Sequence, residues 1–277
     1  MKQERARQYY TSVREYHDIV EESRDRQMFS LGLIRRYLTP SDIVLDVGGG
    51  TGANAELLGI VPNQYICCDL SMNGLKLGQE KGRGAMLQSD SSSMSIKSNS
   101  ADVVLCSWSL EHMSDPAKTL EEMARITRPG GRVMIWGPNW DNIFRKDFPQ
   151  LSHRSVLARE TVRWRIFLKM LRNEFLPFRY SPYVTDDVAA FADADRYVAH
   201  DYDAVHCVLC QETVKWFQQH GGKIVFLGDF ADMTLYVHNS GFIRMVRLVL
   251  KPLLPIIRRI PLLRWFVIRF PLVVEIP

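Results

Sequence analysis

Leu45-Asp46-Val47-Gly48-Gly49-Gly50-Thr51-Gly52 decides how this chain is read. The apolar, β-branched run DIVLDV at 42–47 stops abruptly at glycines, and a helical stretch from Ala53 to Leu58 follows. Strand, glycine turn and helix in that order let the main chain reverse sharply and let a ligand approach the backbone. Working outward, the signal repeats. YICCDL at 65–70 is a second apolar run, followed by the helical SMNGLKLGQEKG. AMLQSD at 85–90 reads as a third strand and ADVVLCSWS at 101–109 as a fourth. A helix then opens on Asp115 as N-cap with Pro116 behind it and runs to Arg128-Pro129-Gly130-Gly131. RVMIWG at 132–137 is a fifth strand. Strands alternating with helices at this spacing predict right-handed βαβ units and a mostly parallel sheet. Such sheets bind ligands at the carboxyl ends of their strands.

The glycine loop alone is ambiguous. Gly48, Gly50 and Ala53 satisfy a loose dinucleotide fingerprint, with Asp69 about where a ribose-binding acid should stand. Four features separate the readings. Asp46 precedes the first glycine by two, giving DxGxGxG; Asp69 ends the second strand; Asp90 ends the third; and Pro-Gly-Gly precedes the fifth. LDVGGGTG, CDLS, QSD, SLEHMSDP and ITRPGGRVMI together resemble the class I S-adenosylmethionine-dependent methyltransferases. The branch most similar methylates small molecules and quinone precursors. The resemblance covers roughly 41–138, with a weaker continuation over 201–238. It implies a Rossmann-like, doubly wound sheet and S-adenosyl-L-methionine as cofactor. Carried over by position, it puts Asp46 with Gly48, Gly50 and Gly52 around the amino-acid end of the cofactor. It puts Asp69 and Leu70 at the ribose, Asp90 and Ser91 at the adenine, and Ser107 beside the methionine moiety.

The chemistry expected of such a site is mostly positioning. A methyl on a sulfonium leaves readily, so the protein must align nucleophile, carbon and sulfur and exclude water. A hydroxyl nucleophile also needs a base. His112, beside Glu111 just past the fourth strand, titrates in the right range and is the catalytic candidate. Packing is the competing role for the same residue. The histidines at 153, 200, 206 and 238 show no ligand spacing, so no metal site is expected.

Composition bounds the rest. The 277 residues suffice for a large core, and 46% hydrophobic with 24% charged residues is ordinary for a globular protein. The charged start, MKQERARQYY, lacks a signal-peptide core, which predicts a cytoplasmic location. Cys207 and Cys210 form a lone CxxC with no partner ligands in the pattern, and read as packed thiols. Residues 1–40 read as an N-terminal helical segment. The fold is expected to occupy 41–138 and 201–238, with TLYVHN as the last strand. Residues 139–200 form an insertion after the fifth strand, with a helical stretch over 154–175, and so predict a cap over the site mouth.

Charge is placed unevenly. Over 139–182 nine Lys or Arg face four acids, and over 241–277 seven basic residues face Glu275 alone. The net charge is +4, so the remainder is net acidic. Prolines at 252, 255, 261 and 271 exclude a membrane-spanning helix in the tail. Arg244, Arg247 and Lys251 make a basic stripe on an otherwise apolar helix, the pattern of an amphipathic tail on an anionic membrane surface. Three readings follow: methyl transfer to a small acceptor, with lipid-linked and lipid-soluble molecules among the candidates; a nucleic-acid methyltransferase; and a non-catalytic cofactor-binding module. Arginines interleaved with Leu, Ile and Val, rather than with polar and stacking residues, argue against nucleic acid.

Overall fold

The computed structural model describes residues 21, 32–142, 156–184, 206–228, 252 and 269–277. Seven strands form one sheet in the order β3-β2-β1-β4-β5-β9-β8. They are β1 (Val44–Val47), β2 (Tyr65–Asp69), β3 (Ala85–Gln88), β4 (Ala101–Ser107), β5 (Thr127–Pro138), β8 (Lys223–Leu227) and β9 (Arg269–Glu275). Strands β1 to β5 pair in parallel, and β9 runs antiparallel to both of its neighbours. Two short strands, β6 (Tyr183–Val184) and β7 (His206–Cys207), pair apart from the sheet. The helices are α1 (Asn54–Leu58), α2 (Met72–Glu80), α3 (Pro116–Ile126), α4 (Val156–Phe175) and α5 (Cys210–Gln219).

Both faces of the sheet are covered, which is why its central strands are apolar throughout rather than alternating. Leu45, Val104, Ile135, Leu272 and Val274 face α3 and α5 through Leu120, Met123, Trp216 and Phe217. Their strand neighbours Val44, Val103, Leu105, Met134 and Val273 face the other way, onto Ile34, Ala55, Leu58 and Leu75. Fully burying one such side chain is worth about 1.5–3 kcal/mol.

Local signals behave as the sequence implies. The Asp115 carboxylate accepts from Lys118 N at 3.1 Å, with Pro116 in the first turn of α3. Ser71 caps α2, and Gly59 closes α1 in the left-handed conformation. All five cysteines are buried thiols.

The end of the chain departs from expectation. Residues 269–275 are not part of an amphipathic surface tail. They are the strand between β5 and β8, paired from Arg132↔Glu275 to Pro138↔Arg269, and Leu272, Val273 and Val274 are wholly buried. The sheet therefore closes with a segment outside 41–138 and 201–238. Pro271 disguised it, because proline normally sits at edges. Here Pro271 lies past the last β8 partner, Leu227↔Leu272, and opposite Gly228. A Cβ on Gly228 would stand 2.3 Å from the proline ring, so the glycine makes room for it. TLYVHN, the stripe of Arg244, Arg247 and Lys251, and the rest of 241–268 except Pro252 lie outside the described residues.

Candidate active site

Three strand ends converge on the glycine loop. Gly48, Gly50 and Gly52 have φ of +69°, +58° and +70°, a region costly for any side-chain-bearing residue. The loop is anchored by Gly48 N donating to Cys68 O at 2.7 Å and Gly52 N donating to Gly49 O at 2.8 Å. Its glycines serve different ends. A Cβ on Gly48 would lie 2.5 Å from Met113 Cε and 2.6 Å from Ser109 Cβ, so that position is closed by protein. Among the described residues a Cβ on Gly50 would meet nothing within 4 Å, so among them the loop is open at that position.

Asp69 stands beside that opening. Its Oδ2 accepts from Gly50 N at 2.8 Å and its Oδ1 from Ser71 N at 2.7 Å, which holds the carboxylate at the strand end. Leu70 O accepts from Gln88 Nε2 at 3.1 Å, and Ser89 N donates to Asp69 O at 3.0 Å, which brings the β3 loop alongside. In that loop Asp90 Oδ1 caps Ser92, accepting from its N at 2.9 Å and its Oγ at 2.7 Å. Its other oxygen stays uncommitted among the described residues. The hydroxyl of Ser91 is bonded instead to Thr119 Oγ1 at 2.9 Å and to Met113 Sδ.

Asp46 lies beneath the loop. It is wholly buried, accepts through Oδ2 from Asn54 Nδ2 at 2.9 Å and from the Tyr65 hydroxyl, and leaves Oδ1 buried without a partner. Burial pushes this carboxyl up to about 6, against the downward pull of the Tyr65 and Asn54 hydrogen bonds. Ser107, the last residue of β4, also holds a buried hydroxyl with no hydrogen-bond partner. Trp108 follows with φ of +54°, a strained conformation at the end of a central strand. Ser109 Oγ then donates to Val47 O at 3.0 Å, tying the turn after β4 to the glycine loop.

His112 sits in the turn Leu110–His112, mostly buried, with its Nε2 3.9 Å from Glu111 Oε1. That separation is too long for a hydrogen bond. Strand β7 packs on this turn and brings in His206, which is buried. Burial holds His206 below the ordinary histidine range, and nearby His112 adds to this, while Asp115 and the backbone of Ser114 and Met113 pull it up.

One support of the loop was not legible in the sequence. Arg83 is almost fully enclosed and donates to Thr51 O at 3.2 Å, to Thr51 Oγ1 at 3.0 Å and to Glu56 Oε1 at 2.9 Å. It also grips Glu21 with two nitrogens at 2.5 and 2.8 Å, and Lys81 and Thr51 donate to the same carboxylate. Desolvation opposes ionisation of Glu21, but the Arg83, Lys81 and Thr51 hydrogen bonds outweigh it and hold the carboxyl down near 2. Lys-Gly-Arg-Gly at 81–84 reads as an exposed turn, and nothing local links it to residue 21.

These residues fit S-adenosylmethionine. A ribose diol needs acceptors, and the Asp69 carboxylate presents two acceptor oxygens beside the glycine loop. An amino-acid end lying against the main chain needs a residue without a Cβ, as at Gly50, and the buried Ser107 hydroxyl, which has no hydrogen-bond partner, suits its charged groups.

Residues 45–135 match the family described as methyltransferase domain. A demethylmenaquinone methyltransferase of Paenarthrobacter aurescens is 32% identical over 108 residues, 36% of this chain and 43% of that protein. A ubiquinone/menaquinone biosynthesis C-methyltransferase of Bdellovibrio bacteriovorus is 35% identical over 101 residues, 34% of this chain and 43% of the relative. The chain thus spans less than half the length of these relatives. A solved S-adenosylmethionine-dependent methyltransferase from Mesorhizobium loti superposes with a TM-score of 0.50 at 14% identity, over 89% of this chain and 97% of the other. The PH0226 protein of Pyrococcus horikoshii gives 0.53 at 14% identity, over 97% and 98%. At such identity the structural likeness speaks to fold alone. Fold, glycine loop, strand-end acids and sequence relatives agree over one stretch: residues 45–135 match the methyltransferase domain family and are similar there to methyltransferases of quinone biosynthesis.

Proposed function

We propose that the protein transfers a methyl group from S-adenosylmethionine to a small, lipid-soluble acceptor resembling a quinone precursor, at the cytoplasmic face of a membrane. The observation that carries the cofactor half is the opening at Gly50 beside the Asp69 carboxylate. Relatives named for demethylmenaquinone and for ubiquinone/menaquinone biosynthesis support the acceptor class.

The bound cofactor supplies an electrophilic methyl on a sulfonium. The chain's own residues do the rest. Asp69 orients the ribose, and the open loop seats the amino-acid end beside Ser107. Helix α4, packed on Trp140 two residues past β5, would act as a cap that excludes water and so strengthens every polar contact. In this reading His112, beside Glu111, takes the acceptor's proton.

Calorimetric titration tests the cofactor half. Asp69→Ala removes charge-assisted acceptors and should weaken S-adenosylmethionine binding by about 1–3 kcal/mol. Equal affinity in wild type and variant would remove Asp69 from the site.

A further inference from the structure

We propose that the outer face of α4 is the surface by which this protein docks onto an anionic lipid bilayer, an inference that rests on the lipid-soluble acceptor of the preceding reading. Helix α4 has two apolar faces. The inner one buries Val162, Ile166 and Met170 against Trp140, Cys207 and Leu209. The outer one is in water: Trp164 is 61% exposed, Leu168 59% and Phe175 82%, with half-buried Leu171 between them. Positions 164, 168, 171 and 175 fall at i, i+4, i+7 and i+11, one continuous stripe along a helix. Leu176, 55% exposed, extends it past the last turn. Single exposed apolar residues need no explanation, but a contiguous stripe on an otherwise anchored helix marks an interaction surface.

Charge selects the occupant. Arg165 and Arg172 are exposed and follow Trp164 and Leu171 by one position, so they line one side of the stripe, and exposed Arg179 continues the basic run. Among the described residues none of these three has an acid partner. The acids of the helix are already met, Glu160 by Arg163 at 2.6 Å and Glu174 by Lys215 at 3.4 Å. An aromatic anchor, an aliphatic stripe and arginines at its border match a helix lying in the headgroup layer, with apolar side chains dipping into the acyl boundary and guanidinium groups at the phosphates. Among the described residues no helix is long and apolar enough to cross a membrane, so α4 would lie on the bilayer rather than span it.

The helix is held firmly enough to dock as a unit. Buried Glu212 of α5 pairs with Lys169 at 2.8 Å and accepts from Asn173 Nδ2 at 3.2 Å. Asp141, three residues past β5, accepts from Gln211 N at 2.9 Å. These links fix the stripe at the end of the sheet that carries the glycine loop.

The test is co-sedimentation of the full chain with phosphatidylglycerol vesicles and with phosphatidylcholine vesicles, at low and high salt. Two double variants are compared with wild type: Trp164→Glu with Leu168→Glu, and Arg165→Gln with Arg172→Gln. Titration with S-adenosylmethionine without vesicles is the independent control for folding and for the cofactor reading. The expected result is salt-sensitive binding of wild type to the anionic vesicles. The arginine variant should lose roughly ten- to thirty-fold in apparent affinity, and the apolar-face variant at least as much, both with unchanged cofactor affinity. Wild type that ignores anionic vesicles, or variants that bind them as well as wild type, would overturn the proposal. So would an apolar-face variant that only converts a wild-type oligomer to monomers, which would make the stripe a contact between copies. If the glutamates unfold the chain, the arginine variant decides alone. Loss of cofactor binding in wild type with vesicle binding intact would strike the methyltransferase reading and leave the docking surface standing.

Discussion

Single residues separate what the fold needs from what the ligand needs. Gly48 and Gly50 both carry positive φ, yet only Gly48 is crowded by protein. Gly48→Ala should therefore destabilise the fold, through overlap with Met113 and Ser109 on top of backbone strain, typically by 1–3 kcal/mol. Gly50→Ala adds similar strain but no collision among the described residues, so it should destabilise less than Gly48→Ala while S-adenosylmethionine affinity falls sharply. Comparing calorimetry with melting curves for the pair checks this; equal losses of stability would show that the opening at Gly50 is not reserved for a ligand. Asp46 makes a pH-dependent prediction. Its carboxyl is raised to about 6 from an ordinary 3.8, so the native state binds the proton more tightly than the unfolded chain. The stability it contributes is fully present below about pH 4 and is lost as pH rises through about 6, a change on the order of 3 kcal/mol. Asp46→Asn should flatten that stretch of the stability–pH curve, measured by urea unfolding from pH 4 to 7. A curve as steep as wild type would mean the carboxyl titrates normally. For His112, loss of a base predicts that His112→Ala lowers kcat by about 10²–10⁴ with cofactor affinity nearly intact. If turnover per folded molecule holds and only stability drops, the imidazole packs and does not take the proton.

At the scale of elements, the last strand carries the strongest consequence. Leu272→Ala in β9 empties a fully buried position between β5 and β8 and should cost about 2–5 kcal/mol in urea unfolding. A chain ending at residue 240 lacks β9 altogether, leaves β5 and β8 as unpaired neighbours, and should yield no soluble folded protein. A well-folded truncated chain would contradict the sheet order. Membrane binding is therefore better tested by point substitutions on α4 than by removing the chain's end. The same strand shows where the sequence was readable and where it was not. Strands β1 to β5 announce themselves because each is a short apolar run followed by a turn signal, and α3 because Asp115 and Pro116 mark its start. Strand β9 is concealed by Arg269 and Pro271, residues that normally exclude a central strand; only the packing of Pro271 on Gly228 makes it possible. The glycine loop was legible for a related reason, since glycines and strand-end acids carry local constraints. The clamp of Arg83 on Thr51 and Glu21 was not, because it joins residues far apart in sequence through charges that read singly as surface groups. His206 reaches the His112 turn on strand β7, a two-residue strand with no local signature.

For the whole molecule, a methyltransferase-type sheet supports acceptors of many kinds, so fold alone does not name the acceptor. The acceptor proposed here rests on a domain similar to methyltransferases of quinone biosynthesis, the exposed apolar stripe of helix α4, and arginines bordering that stripe. The most direct measurement is transfer of a labelled methyl group from S-adenosylmethionine by the full chain, offered a demethylated quinol in anionic vesicles and, separately, total RNA. The methyltransferase reading predicts label in the organic-extractable quinol fraction, with little in RNA and a sharp fall for Asp69→Ala. Label confined to RNA, or no transfer to any acceptor from a protein that binds the cofactor, would contradict it.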